Sequence, residues 1–127
     1  MGEENLSTEL TLPWPPTVNT YWRVRVNGKY PTFFVAQDGI RYRRNVQGYC
    51  LAWKVKPIKG RVRIVVDAYP PDRRVRDLDN VLKALLDSLR YGGAYLDDGQ
   101  IDHLTVIRRE KDGNGGRVVV RLEEIPE

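Results

Sequence analysis

Apolar and polar residues alternate through RVRIVVDAY, with Val62, Ile64, Val66 and Ala68 on one face and Arg61, Arg63, Val65, Asp67 and Tyr69 on the other. A period of two predicts a strand over residues 61–69. LSTELTL, at residues 6–12, places Leu6, Leu10 and Leu12 on one face and predicts a second strand, stopped by Pro13. Residues 24–35 alternate weakly about Asn27-Gly28, the residue pair favoured in tight hairpin turns, and Asp38-Gly39 ends that unit. Two stretches carry the helical period instead. Residues 78–90 put Leu78, Val81, Leu82, Leu85, Leu86 and Leu89 on one broad apolar arc, and residues 40–55 bring Tyr42, Val46, Tyr49 and Trp53 into a stripe. Beyond Gly92-Gly93 and the Asp97-Asp98-Gly99 turn, a strand is expected over 101–109. A glycine-rich hairpin loop at 112–116 then returns the chain through RVVVRLEEI. The order βββαβαββ predicts an α+β fold: one small domain over residues 1–127, with a mixed or antiparallel sheet and two main helices.

PWPPTVNTYWR holds three prolines in four residues and cannot sit inside a helix or a central strand. Such aromatic-proline segments usually cap a core, the reading favoured for Trp14. Asn19, Tyr21 and Trp22 lead on into a basic region. Arg41, Arg43 and Arg44 lie off the Tyr42 stripe, so all three are expected to face solvent or phosphate.

Charge changes the picture. Between Trp22 and Val66 lie eleven Lys or Arg residues and a single acid, Asp38, although the whole chain carries only +4. That local excess fits a polyanionic partner. The lone Cys50 forms no intramolecular disulfide, and His103 alone builds no zinc site. No apolar run is long enough to span a bilayer, and the acidic start lacks the features of a secretory signal. A soluble, cytoplasmic protein without membrane contact is expected.

The densest chemistry lies in RDLDNVLKALLDSLRYGGAYLDD. Asp77 and Asp79 crowd a helix start, and Asp97 and Asp98 follow in the turn beyond the helix. Carboxylates this close repel one another unless a cation sits among them. Magnesium suits the arrangement, since it prefers oxygen, keeps several waters and often binds one or two carboxylates plus phosphate; manganese is its natural substitute. Arg73, Arg74 and Arg76 precede the acids, where a phosphate would approach, and Arg41 and Arg44 offer further DNA contacts. A blander reading makes Asp77 a helix cap and Asp79 with Lys83 a surface i,i+4 pair.

LPWPP followed by Asn19 and Tyr21, then DRR, RDLDN, Lys83, and YLDD before a strand, resembles the RusA-type Holliday junction resolvases, in order from Leu12 to Glu123. The resemblance implies three aspartates holding magnesium at the active site and a lysine on the same helix needed for cleavage. Carried over by motif, these are Asp77, Asp79, Asp98 and Lys83, with Asp97 as the alternative third ligand. It also implies a two-fold homodimer that nicks opposing strands of four-way junction DNA during recombination and repair. Two other readings stay open: a nucleic-acid-binding module without catalysis, and a metal-dependent nuclease acting on flaps, single strands or RNA.

Overall fold

The computed structural model describes residues 6–127, with the side chains of Val18, Asn19, Trp22, Asn27, Thr32 and Phe33 outside that description. The Asn19 and Trp22 side chains, singled out from sequence, therefore lie outside the described residues. The chain runs β1 (Ser7–Pro13), α1 (Val18–Tyr21), β2 (Trp22–Asn27), β3 (Tyr30–Val35), α2 (Gln37–Ala52) and β4 (Val62–Tyr69). A 3-10 turn (Leu78–Val81), α3 (Leu82–Tyr91), a second 3-10 turn (Asp98–Gln100), β5 (Ile101–Arg108) and β6 (Arg117–Glu124) complete it. The architecture is α+β, with a mixed four-stranded sheet and two main helices, as the patterning implies.

The sheet order is β1-β6-β4-β5, and β2 with β3 forms a separate two-stranded ribbon. Alternation in β4 holds to the residue: Val62, Ile64, Val66 and Ala68 are buried. Register extends this apolar face sideways, since Val66 lies opposite both Val120 and Val106, and Val120 lies opposite Leu10. Helices α2 and α3 close over that face. Tyr42, Val46 and Cys50 of α2, with Ala84, Leu85 and Leu89 of α3, join Leu10, Leu12, Val118 and Leu122 in one core. Among the described residues, no helix is long and apolar enough to cross a membrane.

Four local expectations need correction. Residues 101–124 do not form a hairpin: β5 pairs parallel with β4 at the sheet edge, and β6 inserts antiparallel between β4 and β1. Insertion gives β6 a hydrogen-bonded neighbour on each side, which pairing with β5 at the edge would not. The chain crosses the end of β4 to get there, tied by Arg109 N–H to the Ala68 carbonyl (2.8 Å) and Asp112 N–H to the Pro70 carbonyl (2.8 Å). Gly116 completes the crossing at φ +81°, where an added Cβ would also come within 2.9 Å of Pro71.

Helix α2 begins at Gln37, so Asp38-Gly39 lies in its first turn and does not terminate the ribbon. Gly39 packs so closely on Tyr21 and Val35 that a Cβ there would meet their side chains at 2.8 and 2.6 Å. The buried stripe runs Gly39, Tyr42, Val46, Cys50, whereas Tyr49 and Trp53 are exposed. A period of 3.6 permits either residue 49 or 50 after Val46. The close approach of Gly92, whose added Cβ would lie 3.0 Å from the Cys50 sulfur, admits the small thiol rather than a tyrosine. Residues 78–90, expected as one helix, are divided between the 3-10 turn and α3.

Leu85 has no solvent exposure, and truncating it leaves a cavity under the sheet. Leu85→Ala is expected to cost about 2–5 kcal/mol in denaturant unfolding. Leu104→Ala, at a 41% exposed edge position, should cost far less.

Candidate active site

The helix that carries the candidate residues is held by a buried charge. Asp87 on α3 is only 4% exposed, yet it keeps its carboxylate because three donors reach it. Arg43 of α2 approaches at 2.8 and 3.0 Å, Arg90 one turn along α3 donates at 2.9 Å, and the Tyr21 hydroxyl at the end of α1 supplies the third donor. Burial alone would raise the Asp87 pKa; the hydrogen bonds from Tyr21, Arg90 and Arg43 outweigh it and hold the carboxyl below its ordinary range. The Tyr21 hydroxyl is pushed up to about 12, by burial first and then by its bond to Asp87. Arg43 was expected to face solvent or phosphate. It points inward instead, because Asp87 offers it a carboxylate in a gap closed by Tyr21. Arg43 and Asp87 lie 44 residues apart, and local periodicity shows no such pairing.

Asp77 precedes the first 3-10 turn and Asp79 lies within it, ahead of α3. Asp77 occupies the N-cap position with extended backbone, but its side chain makes no cap hydrogen bond; only its carbonyl is used, accepting from Asn80 N–H at 3.2 Å. Both acids are exposed, and neither forms an ion pair among the described residues. The i,i+4 pair of Asp79 with Lys83 is not formed. Lys83 itself is exposed, in the first turn of α3.

Nearby acids are occupied. Asp72 binds Arg76 (2.7 Å) and Arg74 (3.6 Å), and its pKa falls to about 2, chiefly through the Arg76 hydrogen bond. Asp97 accepts from Gly99 N–H at 3.3 Å in a capping box completed by Gln100. Asp98 is exposed, with Arg90 as its neighbour at 3.9 Å. It thus sits beside the last turn of α3, whereas Asp77 and Asp79 precede the first. Among the described residues, no three acidic, His or Cys side chains are grouped closely enough to hold a metal ion. The Asp77–Asp79 pair nevertheless fits magnesium, which commonly takes one or two carboxylates and fills its remaining positions with water and phosphate.

The surface beside Asp77 is basic. Trp14, Arg74, Arg76, Leu78 and Arg108 line a cleft with it, and an adjoining groove adds Arg73, Arg109 and Lys111. Arg73 and Arg74 stay exposed there. Arg76 is folded back onto Asp72 and the Arg74 carbonyl (3.3 Å), bracing the loop. Arg108 donates to the Arg76 carbonyl, which brings the end of β5 to the loop. Sequence reasoning missed Arg108, Arg109 and Lys111, although the run RREK carried a basic signal. Arg41 and Arg44 are exposed on α2, and Arg41 shares a separate depression with Pro15, Pro16 and the other side of Trp14.

Exposed carboxylates at a helix start, with Asp77 lining a cleft beside an arginine-rich groove, sit on an α+β fold. Residues 13–123 match the family described as Endodeoxyribonuclease RusA, and the chain belongs to it. It is 42% identical over 118 residues to a crossover junction endodeoxyribonuclease of Enterobacteria phage HK97, covering 92% of this chain and 94% of that protein. Proteins of the same description from Enterobacteria phage 82 (34% over 125 residues) and Escherichia coli strain K12 (35% over 117 residues) each cover 91% of this chain and 93% of their own length.

The buried network generates a pH prediction. Asp87→Asn leaves Arg43 facing a neutral amide and should cost about 3–5 kcal/mol near neutrality. A depressed folded-state pKa contributes stability above the ordinary carboxylate value, lost as pH falls through the folded value. The difference between the native protein and the variant should therefore shrink as pH drops below about 4 in urea unfolding curves.

Proposed function

We propose that this chain is a magnesium-dependent, structure-selective endodeoxyribonuclease that resolves four-way DNA junctions by paired nicks, in recombination and repair. The observation that carries the reading is the state of Asp77 and Asp79. Both are exposed, Asp77 lines the cleft next to the basic groove, and among the described residues neither has the cap bond or ion pair that would give it a structural task. The activity named for the relatives, crossover junction endodeoxyribonuclease, supports the substrate class.

Asp77 and Asp79 would hold the cation, and Asp98 would join them by leaving its place beside Arg90; Asp97 is already employed in its capping box. Magnesium, or manganese in its place, supplies Lewis-acid polarisation of the phosphate and a lowered pKa for the attacking water. Arg73 and Arg74 position the sugar-phosphate backbone without reading its sequence, and Arg76 and Arg108 stiffen the loop between them and Asp77. Arg41 and Arg44 extend the phosphate-contacting surface across α2. Lys83, one turn beyond Asp79, stabilises negative charge that develops on the phosphate oxygens during in-line attack.

Paired nicks need two sites. A four-way junction has near two-fold symmetry, and one chain offers one Asp77–Asp79 pair, so the proposed working unit is a two-fold homodimer. Residues 1–127 would act as one endonuclease domain. Because the substrate is DNA, the proposed compartment is the cytoplasm.

Asp77→Asn and Asp79→Asn should each abolish cleavage of a mobile four-way junction while leaving its binding nearly intact. Asp98→Asn should do the same and Asp97→Asn should not; the opposite result moves the third ligand to Asp97. Lys83→Ala should lower the single-turnover rate on the order of 10²–10³-fold. The reading itself is tested by comparing that junction with linear duplex, flap, single strand and RNA in magnesium. Equal or faster cutting of any of these contradicts it.

A further inference from the structure

The β2–β3 ribbon stands apart from the rest of the fold. It shares no strand pairing with the main sheet, and its contacts outside itself lie at its root, on the short α1 turn and, through Val35, on Gly39 and the core. There the Ala36 N–H donates to the Tyr21 carbonyl at 2.8 Å, so the ribbon grows directly from a residue of the Asp87 network. A two-stranded ribbon alone in water is marginally stable and gains from a surface to lie on.

Its two faces differ. Register places Arg23 opposite Phe34, and Arg25 stacks its guanidinium over that ring at 5.0 Å. Val24 and Val26 point the other way, at 53% and 71% exposure, with the exposed Pro31 opposite Val26. Lys29 lies in the turn, beside Gly28 at φ +66°, and Tyr30 next to it is 77% exposed.

Charge identifies the partner. Residues 22–35 contain Arg23, Arg25 and Lys29 and no acid at all. Elsewhere arginines are widely matched: Arg43 with Asp87, Arg61 with Asp102, Arg63 with Glu123, Arg109 with Asp67, Arg117 with Asp112. Among the described residues, the ribbon's three cations have no carboxylate partner. A protein surface would have to bring its own acids to them, whereas a DNA duplex offers a phosphate along every step of its backbone. A two-stranded ribbon is also a shape the major groove admits.

We propose that the β2–β3 ribbon is a DNA-binding arm that lies along a duplex arm, with Arg23, Arg25 and Lys29 on the phosphates. This deepens the nuclease reading and rests on it for the identity of the polyanion. The stacking of Arg25 on Phe34 holds one guanidinium in place before DNA arrives.

The test is the salt dependence of binding, with calcium replacing magnesium, followed by fluorescence anisotropy on a labelled four-way junction and on linear duplex. Each neutralised phosphate contributes about 0.9 to the log–log slope, so Arg23→Gln with Arg25→Gln should flatten it by about 1.8 on both DNAs. Affinity at 0.1 M salt should fall on the order of tenfold or more. Arg23→Lys with Arg25→Lys, which keeps the charge, should restore the slope, separating lost contacts from a disordered ribbon. Lys29→Gln alone should remove about 0.9.

An unchanged slope in the double glutamine variant overturns the proposal. So does an unchanged slope combined with Val24→Ser and Val26→Ser converting a dimer to monomers in sedimentation, which would give the ribbon to a second copy of the chain. Junction cleavage by the unmodified protein is measured on the same preparations. If that fails while the ribbon-dependent slope persists, the arm stands and the nuclease reading falls.

Discussion

A carboxylate removed from water stays charged only where cations and donors surround it, and Asp87 meets that condition between Arg43, Arg90 and Tyr21. Its partners come from α1, α2 and α3, so one ionised group decides how three helical elements sit together. The rest of the molecule inherits the arrangement. Tyr21 anchors the ribbon through its carbonyl, Arg43 sets the rotation of α2 over the sheet, and Arg90 reaches from Asp87 towards Asp98. With α3 held at this end, its first turn carries Lys83 and follows directly on the Asp77–Asp79 segment.

The carboxylates along this stretch divide into two kinds. Asp72, Asp87, Asp97 and Asp112 are tied to guanidinium groups or backbone amides and shape loops and helix ends. Among the described residues, Asp77 and Asp79 have no such ties, and both are exposed at the 3-10 turn. Leaving two like charges together costs repulsion, and among the described residues no ion pair offsets it. A cation with its own water and phosphate shell would. On the proposed reading, the basic groove from Arg73 to Lys111 would supply the field that draws phosphate towards Asp77 and Asp79.

Much of this was legible in the chain alone, for a physical reason. Val62, Ile64, Val66 and Ala68 alternate because β4 is central and one of its faces is fully covered, so period two survives into the sequence undiluted. The acids at 77 and 79 were visible because unpaired charge crowded at a helix start is rare. What escaped depends on tertiary pairing. Alternation within residues 101–109 and 117–125 is the same whether the strands pair with each other or are separated by β4, so the hairpin expectation had no local signal against it. Tyr49 and Cys50 both continue the Val46 stripe, and only the close approach of Gly92 decides between them. Arg43 looked like a surface residue because Asp87, which turns it inward, belongs to another helix. Asp87 itself lies off the apolar arc of Leu78, Leu82, Leu85 and Leu89, so periodicity placed it on the polar side of α3 and only the tertiary approach of Arg43 and Tyr21 buries it.

The central claim is that Asp77 and Asp79 form the cation-binding centre of the chain. At 14.7 kDa the protein suits amide NMR, and substoichiometric Mn²⁺ broadens the resonances of nuclei near its site. The account predicts that the amides of residues 77–83 and of the Asp98 turn broaden first, and that Asp79→Asn abolishes the effect. Broadening that instead begins around Asp72, Asp112 or Glu123, or that persists unchanged in Asp79→Asn, would contradict it.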